Sequence, residues 1–339
     1  MMSLTLLSTP EDLEAYREYL KKAPGSSLWQ SLEWKGYQEA LGRETRLYGL
    51  VMRDQTSEMS FEATALVIID KTALGLSTWD IPRGPLGKNS ETREKLLKAI
   101  AEEAQKEKCM ALYFSPQSDL SLLTSHPSSR HEQPETTLAL DLSLSEEELQ
   151  KQMKPKGRYN IGVAVKHGVT VEESKDVDAF FSLLKGTSER DAFGILPKSH
   201  YEHFLKDLPG SFLLLASSTE AAKKPIAGLL GITWGNRGYY YYGASSYADR
   251  ALMAPYALQW EAVKLCRNRG ARTYDLLGIA PTEPATCNLQ PTTSSHPWAG
   301  VTRFKMQFGG STENYPPEQE IILKPVAKKL LEWKRKVWK

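Results

Sequence analysis

Scarce cysteine, scattered histidine and the lack of any long apolar run set the first limits on this chain. Its three cysteines, Cys109, Cys266 and Cys287, are odd in number and far apart. Neither a disulfide framework nor a zinc-ligand spacing follows from them, and such sparse thiols suit a reducing cytoplasm. The six histidines are dispersed as well, so no metal cluster and no serine–histidine–acid set declares itself. No apolar run reaches about 18 residues, and the opening Met1-Met2-Ser3-Leu4 has no basic flank, so neither a membrane span nor a signal peptide is expected. A formal net charge of only +2 excludes a global basic field, and any surface for nucleic acid must be local. The phosphate-loop pattern G-x-x-x-x-G-K-[ST] is missing, and no G-x-G-x-x-G follows a strand.

What remains is an ordinary globular composition, 41% hydrophobic and 25% charged, in a chain of 339 residues. That length exceeds one typical core and predicts two domains. Periodicity predicts helices over 10–22 and 31–41, strands over 46–52, 64–70 and 78–86, a helix over 90–108 and a strand over 109–115. A polar loop, 118–135, leads to a strand over 137–142. The second half repeats the order, with helices over 176–189 and 199–208, strands over 211–217, 226–234 and 238–245, a helix over 254–269 and a strand over 272–277. Two helices, three strands, a helix and a strand thus occur twice. The expected fold is mixed α/β, a tandem duplication of one unit whose layout is similar to the GNAT-type acyltransferase fold. Domain 1 is expected over 1–146, completed by a C-terminal helix over 318–339, and domain 2 over 147–317.

The stretch that draws the chemistry together is His296-Pro297-Trp298-Ala299-Gly300-Val301-Thr302-Arg303-Phe304-Lys305-Met306-Gln307-Phe308-Gly309-Gly310. The plain reading is a strand with Phe304 inward and Lys305 in solvent. The setting argues for more: a Pro/Thr/Ser loop over 281–297 precedes it, and a glycine pair allows a tight turn after it. A cation held among aromatics at a loop-to-strand junction can stabilise an oxyanion or contact a phosphate.

Several runs together carry a resemblance that reaches nearly the whole chain. They are "SLWQSLEWKGYQEALG" (27–42), "IPRGPLG" (81–87), "KGRYNIGVAVKHGVTVEES" (156–174), "TSERDAFGILPKSHYEHFLKDL" (187–208), "YYYYGASS" (239–246), "APYALQWEAV" (254–263), "YDLLGIAP" (274–281) and "HPWAGVTRFKMQFGG" (296–310). As a set these resemble the FemABX family of duplicated GNAT-like proteins. Its members transfer an amino acid from aminoacyl-tRNA to peptidoglycan precursors. The resemblance implies an aminoacyltransferase whose donor is aminoacyl-tRNA and whose acceptor is UDP-MurNAc-pentapeptide or lipid II. The product would be an interpeptide bridge or side branch. A GNAT-like N-acyltransferase with another acyl donor, or a non-catalytic precursor-binding protein, stands as the alternative.

Carried over by position, the resemblance puts Lys35, Lys198 and Tyr201 at the acceptor's diphosphate. Relatives commonly have arginine near Lys198, and lysine keeps the charge while losing the bidentate fork. Arg83 at a strand end beside Gly84, and Tyr242 and Tyr256 near Gly243 and Pro255, are expected to bind substrate. Relatives often carry an acidic residue just after the Arg83 motif, where Gly87-Lys88-Asn89 stands here, so no proton acceptor is assigned. Strand alternation sends two of the four tyrosines 239–242 to each face. The acid-free stretch from Lys151 to Lys166, with Lys154, Lys156 and Arg158, is either a solvated helix face or a contact for tRNA phosphates. Catalysis is expected of Lys305, through charge at the oxyanion or the tRNA 3′ end, with Phe304 packed against the terminal adenosine. No cofactor is expected: acetyl-CoA in this fold needs a glycine-rich turn, and residues 245–255 contain no glycine. The chain is expected to be a cytoplasmic monomer. Its basic C-terminal run, 324–339, closes the first domain with its apolar side or docks at the inner face of an anionic membrane.

Overall fold

The computed structural model describes residues 2–53, 59–72, 75–120, 125–128, 130, 132–219, 224–281 and 296–337. The chain divides into two compact units, Met1–Glu135 with Tyr315–Lys339, and Thr136–Asn314. The expected boundary at 146/147 therefore differs from the observed one. The strand Thr136–Asp141, read from sequence as the end of the first domain, hydrogen-bonds into the second unit's sheet between Thr273–Gly278 and Ser311–Asn314. The chain then returns at Tyr315, and Gln319–Ile322 pairs with Cys109–Phe114 of the first unit.

The first unit's sheet runs Met2–Leu6, Glu44–Arg53, Met59–Lys71, Ser77–Ile81, Cys109–Phe114, Gln319–Ile322, His126–Pro127. Its neighbours are antiparallel except Ser77–Ile81 with Cys109–Phe114. The helix Ser90–Lys106 makes that crossover, as a parallel pair requires. It buries Leu96, Leu97, Ile100 and Ala104 at helical spacing against the sheet. The helix Pro10–Lys22 starts where predicted, on a reciprocal cap: Thr9 Oγ1 accepts from the Asp12 amide and Asp12 Oδ2 accepts from the Thr9 amide, both at 3.1 Å. Such a cap is worth about 1 kcal/mol. Arg130 holds the returning segment, donating to Asp80 at 2.8 Å and Glu318 at 3.0 Å while lying 3.7 Å above the Tyr113 ring.

The second unit's sheet runs Ser311–Asn314, Thr136–Asp141, Thr273–Gly278, Arg237–Ser245, Pro225–Trp234, Ser211–Ser218, Val169–Ser174. The unit repeats the first: three antiparallel strands, a crossover helix (Ala254–Asn268) and a parallel strand. Pro225–Trp234 lies inside the sheet and is buried along most of its length, which its near-continuous apolar run demands. Val169–Ser174 is an edge strand and alternates half-buried Val169 and Val171 with exposed Thr170 and Glu172. The edge strand Met2–Leu6 and the short strands Ser311–Asn314 and Gln319–Ile322 were not predicted.

One expectation about the C-terminus changes. In the helix Pro325–Val337, Val326, Leu330 and Trp333 are exposed rather than packed on the first unit. The buried face instead carries Lys328, which pairs with the equally buried Glu320 of the neighbouring strand.

Candidate active site

Two breaks in regular pairing open the second unit's sheet. The parallel strands Arg237–Ser245 and Thr273–Gly278 pair only from Arg237↔Thr273 to Tyr239↔Asp275, and beyond that point they are unpaired. On the other side of the tyrosine strand a bulge shifts the register from Leu230↔Tyr242 to Gly231↔Tyr240, leaving Tyr241 as the extra residue. The bulge corrects the simple alternation read from sequence. Tyr240 packs toward the helix Ala254–Asn268 with the core around Phe304 and Phe308. Tyr241 and Tyr242 both turn to the helix Lys198–Asp207, where Phe204 lies 5.0 and 5.6 Å from their ring centres.

Into the opening comes Lys305. It lies not on a strand but in the last turn of the helix Ala299–Lys305, which tightens into a 3₁₀ turn at Met306–Phe308. The sequence reading took inward Phe304 and outward Lys305 as alternation. The period that won is helical, with Ala299, Thr302, Lys305 and Met306 buried along one face. Gly309 and Gly310, at φ 81° and 88°, then turn the chain into the next strand. A Cβ on Gly310 would lie 2.4 Å from the Ala139 carbonyl oxygen, so glycine is required there. Thr302 Oγ1 accepts from the Ala280 amide at 2.8 Å and ties this helix to the end of the opened strand.

Lys305 is 7% exposed, and its Nζ donates to the Gly278 carbonyl at 2.7 Å and stands 5.5 Å from the Tyr240 ring centre. Burial pushes its pKa down to about 8, opposed by the charge of Asp275. Among the described residues no carboxylate lies within ion-pair distance of it. Tyr240 is pushed by burial up to about 12, with a hydrogen bond from Gln259 acting the other way. Gln259 Oε1 in turn accepts from the Tyr274 hydroxyl at 2.9 Å. Sequence reasoning missed Tyr240, Gln259 and Thr302 as parts of this arrangement. A cue was available in Gly243, where a Cβ would fall 1.9 Å from the Tyr240 hydroxyl oxygen.

Beside the opening lies a cavity of about 810 Å³, entirely within the second unit. Tyr240, Gly243, Gln259, Trp298 and Phe304 form part of its wall, as do Arg190 and Phe193. Lys305 does not itself line it. Phe304 does, in edge contact with Tyr256 at 5.1 Å and Phe308 at 5.4 Å. Phe304, Lys305 and Tyr256 are therefore brought together, as three of the expected residues.

The other expected residues fall into separate settings. Tyr242 pairs its hydroxyl with His200 Nε2 at 3.0 Å and packs on Tyr201 at 5.1 Å. Tyr201 is 2% exposed and its hydroxyl accepts from the Leu196 amide at 3.2 Å, so it belongs to the packing beneath rather than to an open surface. Lys198 is half-buried and shared between Asp178 at 2.7 Å and Glu202 at 3.2 Å. Lys35, in the first unit's helix Leu32–Ala40, bonds Glu39 at 2.5 Å. Arg83 departs most from expectation. It is 3% exposed, at φ 51°, donating to the Pro134 carbonyl at 2.7 Å with its guanidinium 3.7 Å from the Tyr315 ring centre. A buried arginine stacked on an aromatic ring fastens a loop and has no face left for a ligand.

In the basic stretch, Lys154 and Lys156 are exposed at the start of the helix Pro155–Lys166. That helix meets the turn after Lys305 closely: the Lys154 amide donates to the Gln307 carbonyl at 3.0 Å, and a Cβ on Gly157 would lie 2.4 Å from the same oxygen. Arg158 donates to the carbonyls of Gln150 and Met153, capping the preceding helix. Most of the 281–297 loop and Cys287 lie outside the described residues. Cys109 and Cys266 are buried, and burial pushes their thiols up to about 11 and about 12, which removes both as nucleophiles. Among the described residues no group of three or more histidine, cysteine, aspartate or glutamate side chains is placed to hold a metal, and no helix is long and apolar enough to cross a membrane.

Three antiparallel strands, a crossover helix and a parallel strand, built twice in one chain, with the second unit's parallel pair splayed open beside a cavity, make the architecture of tandem GNAT-like proteins. Comparison with known proteins agrees. The crystal structure of FemX superposes with a TM-score of 0.78 at 20% identity over 98% of this chain and 100% of that one. A tandem GNAT protein from the clavulanic acid biosynthesis pathway superposes with a TM-score of 0.56 at 12% identity, over 95% and 99%. These two likenesses show the fold alone. The profile of the FemAB family matches residues 12–143, 123–220 and 215–336, and the chain belongs to that family. Among curated relatives, the lipid II:glycine glycyltransferase of Staphylococcus epidermidis is 24% identical over 270 residues, 56% of this chain and 65% of that one. The match thus spans less than two thirds of that relative's length.

Proposed function

We propose that this protein transfers an aminoacyl group from aminoacyl-tRNA to an amine on the stem peptide of a peptidoglycan precursor. The observation that carries the reading is the Lys305 ammonium, held by one carbonyl in the opened sheet beside Tyr240 and Phe304, in a chain of the FemAB family. The glycyltransferase named among its relatives supports a lipid II-type acceptor. UDP-MurNAc-pentapeptide is the soluble form of the same chemistry.

The ester of an aminoacyl-tRNA is already activated, so no covalent enzyme intermediate is needed. The acceptor amine adds to the ester carbonyl and a C–N bond forms. The tetrahedral oxyanion collapses as the C–O bond to the ribose breaks, and the amine's proton passes to the departing ribose oxygen. What the protein supplies is position and charge. In this reading Lys305 offers positive charge to the oxyanion, in surroundings where low polarity strengthens it. Phe304 packs against the terminal adenosine in the cavity, with Tyr256 bracing it. Tyr240, fixed by Gln259, lines the same space. Lys35, Lys198 and Tyr242 are the proposed acceptor contacts. The ammoniums of Lys35 and Lys198 already have carboxylate partners, which a diphosphate would have to displace. Lys154 and Lys156 are proposed for the tRNA backbone because their helix is keyed to Gln307. Docking at an anionic membrane stays part of the proposal, since Val326, Leu330 and Trp333 are exposed along one helix that also carries Lys329 and follows directly on Lys324.

The test is a transfer assay with labelled aminoacyl-tRNA and each precursor form, run beside acetyl-CoA as rival donor. Label appearing in precursor from charged tRNA supports the reading. Acetyl transfer, or precursor binding without turnover from either donor, overturns it.

A further inference from the structure

One feature near the cavity has no part in the chemistry above. Tyr247 is 59% exposed, and its ring contacts two guanidiniums, Arg250 at 4.1 Å and Arg190 at 5.8 Å. Arg190 lines the 810 Å³ cavity. Arg250 lines a second hollow of about 110 Å³, which shares Ser245, Pro255 and Phe304 with the first. Tyr247 therefore sits between arginines that belong to two adjoining hollows.

The charges of the two arginines differ in availability. Arg190 is held by both carboxylate oxygens of Asp191 at 2.7 Å and donates to the Ser245 carbonyl at 3.3 Å. Arg250 donates to the Tyr247 carbonyl at 3.1 Å, and among the described residues it makes no ion pair. An exposed ring with an uncompensated guanidinium against it combines a stacking surface with a phosphate contact. That pairing suits unpaired nucleotides, whose bases stack on aromatic and guanidinium planes while their phosphates need a cation.

Size decides where on the donor it would act. A cavity of about 810 Å³ accommodates a terminal aminoacyl-nucleoside and not a folded RNA. The nucleotides preceding the terminal one must then cross the rim. We propose that Tyr247, with Arg250 and Arg190, is the stacking platform for the single-stranded 3′ nucleotides of the RNA donor. This rests on the reading that the donor is an aminoacyl-tRNA. It also accounts for residues 245–255, which lack the glycine-rich turn a coenzyme pyrophosphate would need and carry Tyr247 and Arg250 instead.

The experiment uses the full chain and a fluorescein-labelled RNA tetranucleotide, ACCA, followed by anisotropy, with transfer kinetics in parallel. The wild type binds the RNA. Tyr247→Ala weakens binding about tenfold, Tyr247→Trp restores it, and Arg250→Gln weakens it while flattening its salt dependence. In transfer, Tyr247→Ala raises KM for charged tRNA and leaves KM for the precursor unchanged, with thermal unfolding at the wild-type temperature. Equal RNA binding by wild type and Tyr247→Ala overturns the platform, as does a rise confined to the precursor's KM, which would assign the ring to the acceptor. The two readings fail separately. Tyr247-dependent RNA binding without transfer sinks the proposed reaction and keeps the platform, whereas transfer indifferent to Tyr247 does the reverse.

Discussion

Replacing Lys305 by methionine separates chemistry from folding, because the structure predicts opposite sizes for the two effects. Methionine fills nearly the same volume without a charge. The depression of the lysine pKa from 10.5 to about 8 corresponds to about 3 kcal/mol against burying the charged form, which the variant no longer bears. Against that, the Gly278 carbonyl loses its 2.7 Å donor, a loss of about 1–3 kcal/mol. The terms offset, so stability should stay within about 2 kcal/mol of the wild type. Transfer should respond quite differently, since losing one preorganised charge at an oxyanion lowers turnover about 10²–10³-fold. The assay is single-turnover transfer from charged tRNA, with thermal unfolding measured on the same preparation. Turnover within a few-fold of the wild type in a folded variant would remove Lys305 from the mechanism. A variant that fails to fold would refute the offset.

Other expectations follow from the same geometry. Because Lys305 loses its proton above about pH 8, turnover should fall on the alkaline side with a midpoint near that value. Stability should move the opposite way: between about 8 and 10.5 the unfolded chain keeps a proton that the folded chain has released, so unfolding free energy rises with pH there. A pH–rate profile flat to pH 10 would contradict the first part, and denaturant midpoints across the window check the second. Gly243→Ala would put a Cβ 1.9 Å from the Tyr240 hydroxyl oxygen and should cost about 1–3 kcal/mol while displacing Tyr240 and slowing transfer. Calorimetry and the transfer assay read both. Lys35→Met and Lys198→Met should each raise KM for the precursor about tenfold, the loss of one charge-assisted bond, without changing KM for charged tRNA. An unchanged precursor KM would take that lysine out of the acceptor site.

The duplicated architecture was legible because each unit's crossover helix and parallel strand carry strong periodic signals, 90–106 and 109–114 in one half, 254–268 and 273–278 in the other. The strand Thr136–Asp141 was found, but the unit it joins was not. Its partners, Thr273–Gly278 and Ser311–Asn314, lie far along the chain, and no local pattern encodes such a pairing. Lys305 was singled out correctly as unusual and given the wrong element, because ten residues of mixed Phe, Thr, Lys and Met satisfy a period of two almost as well as 3.6. Tyr240 escaped notice for a similar reason: the bulge at Tyr241 inverts the faces of its neighbours, and only the register with Leu230 and Gly231 reveals it. Arg83 shows the converse error. A conspicuous motif, Ile81-Pro82-Arg83-Gly84-Pro85, proved to serve packing, its guanidinium occupied by Tyr315 from the far end of the chain.

Mass spectrometry of UDP-MurNAc-pentapeptide and of lipid II, each incubated with the protein and a mixed pool of charged tRNAs, tests the central claim most directly. The account predicts a precursor heavier by one or more aminoacyl residues, dependent on intact charged tRNA and abolished by ribonuclease. A precursor of unchanged mass in both mixtures, or one modified only when acetyl-CoA is supplied, would contradict it.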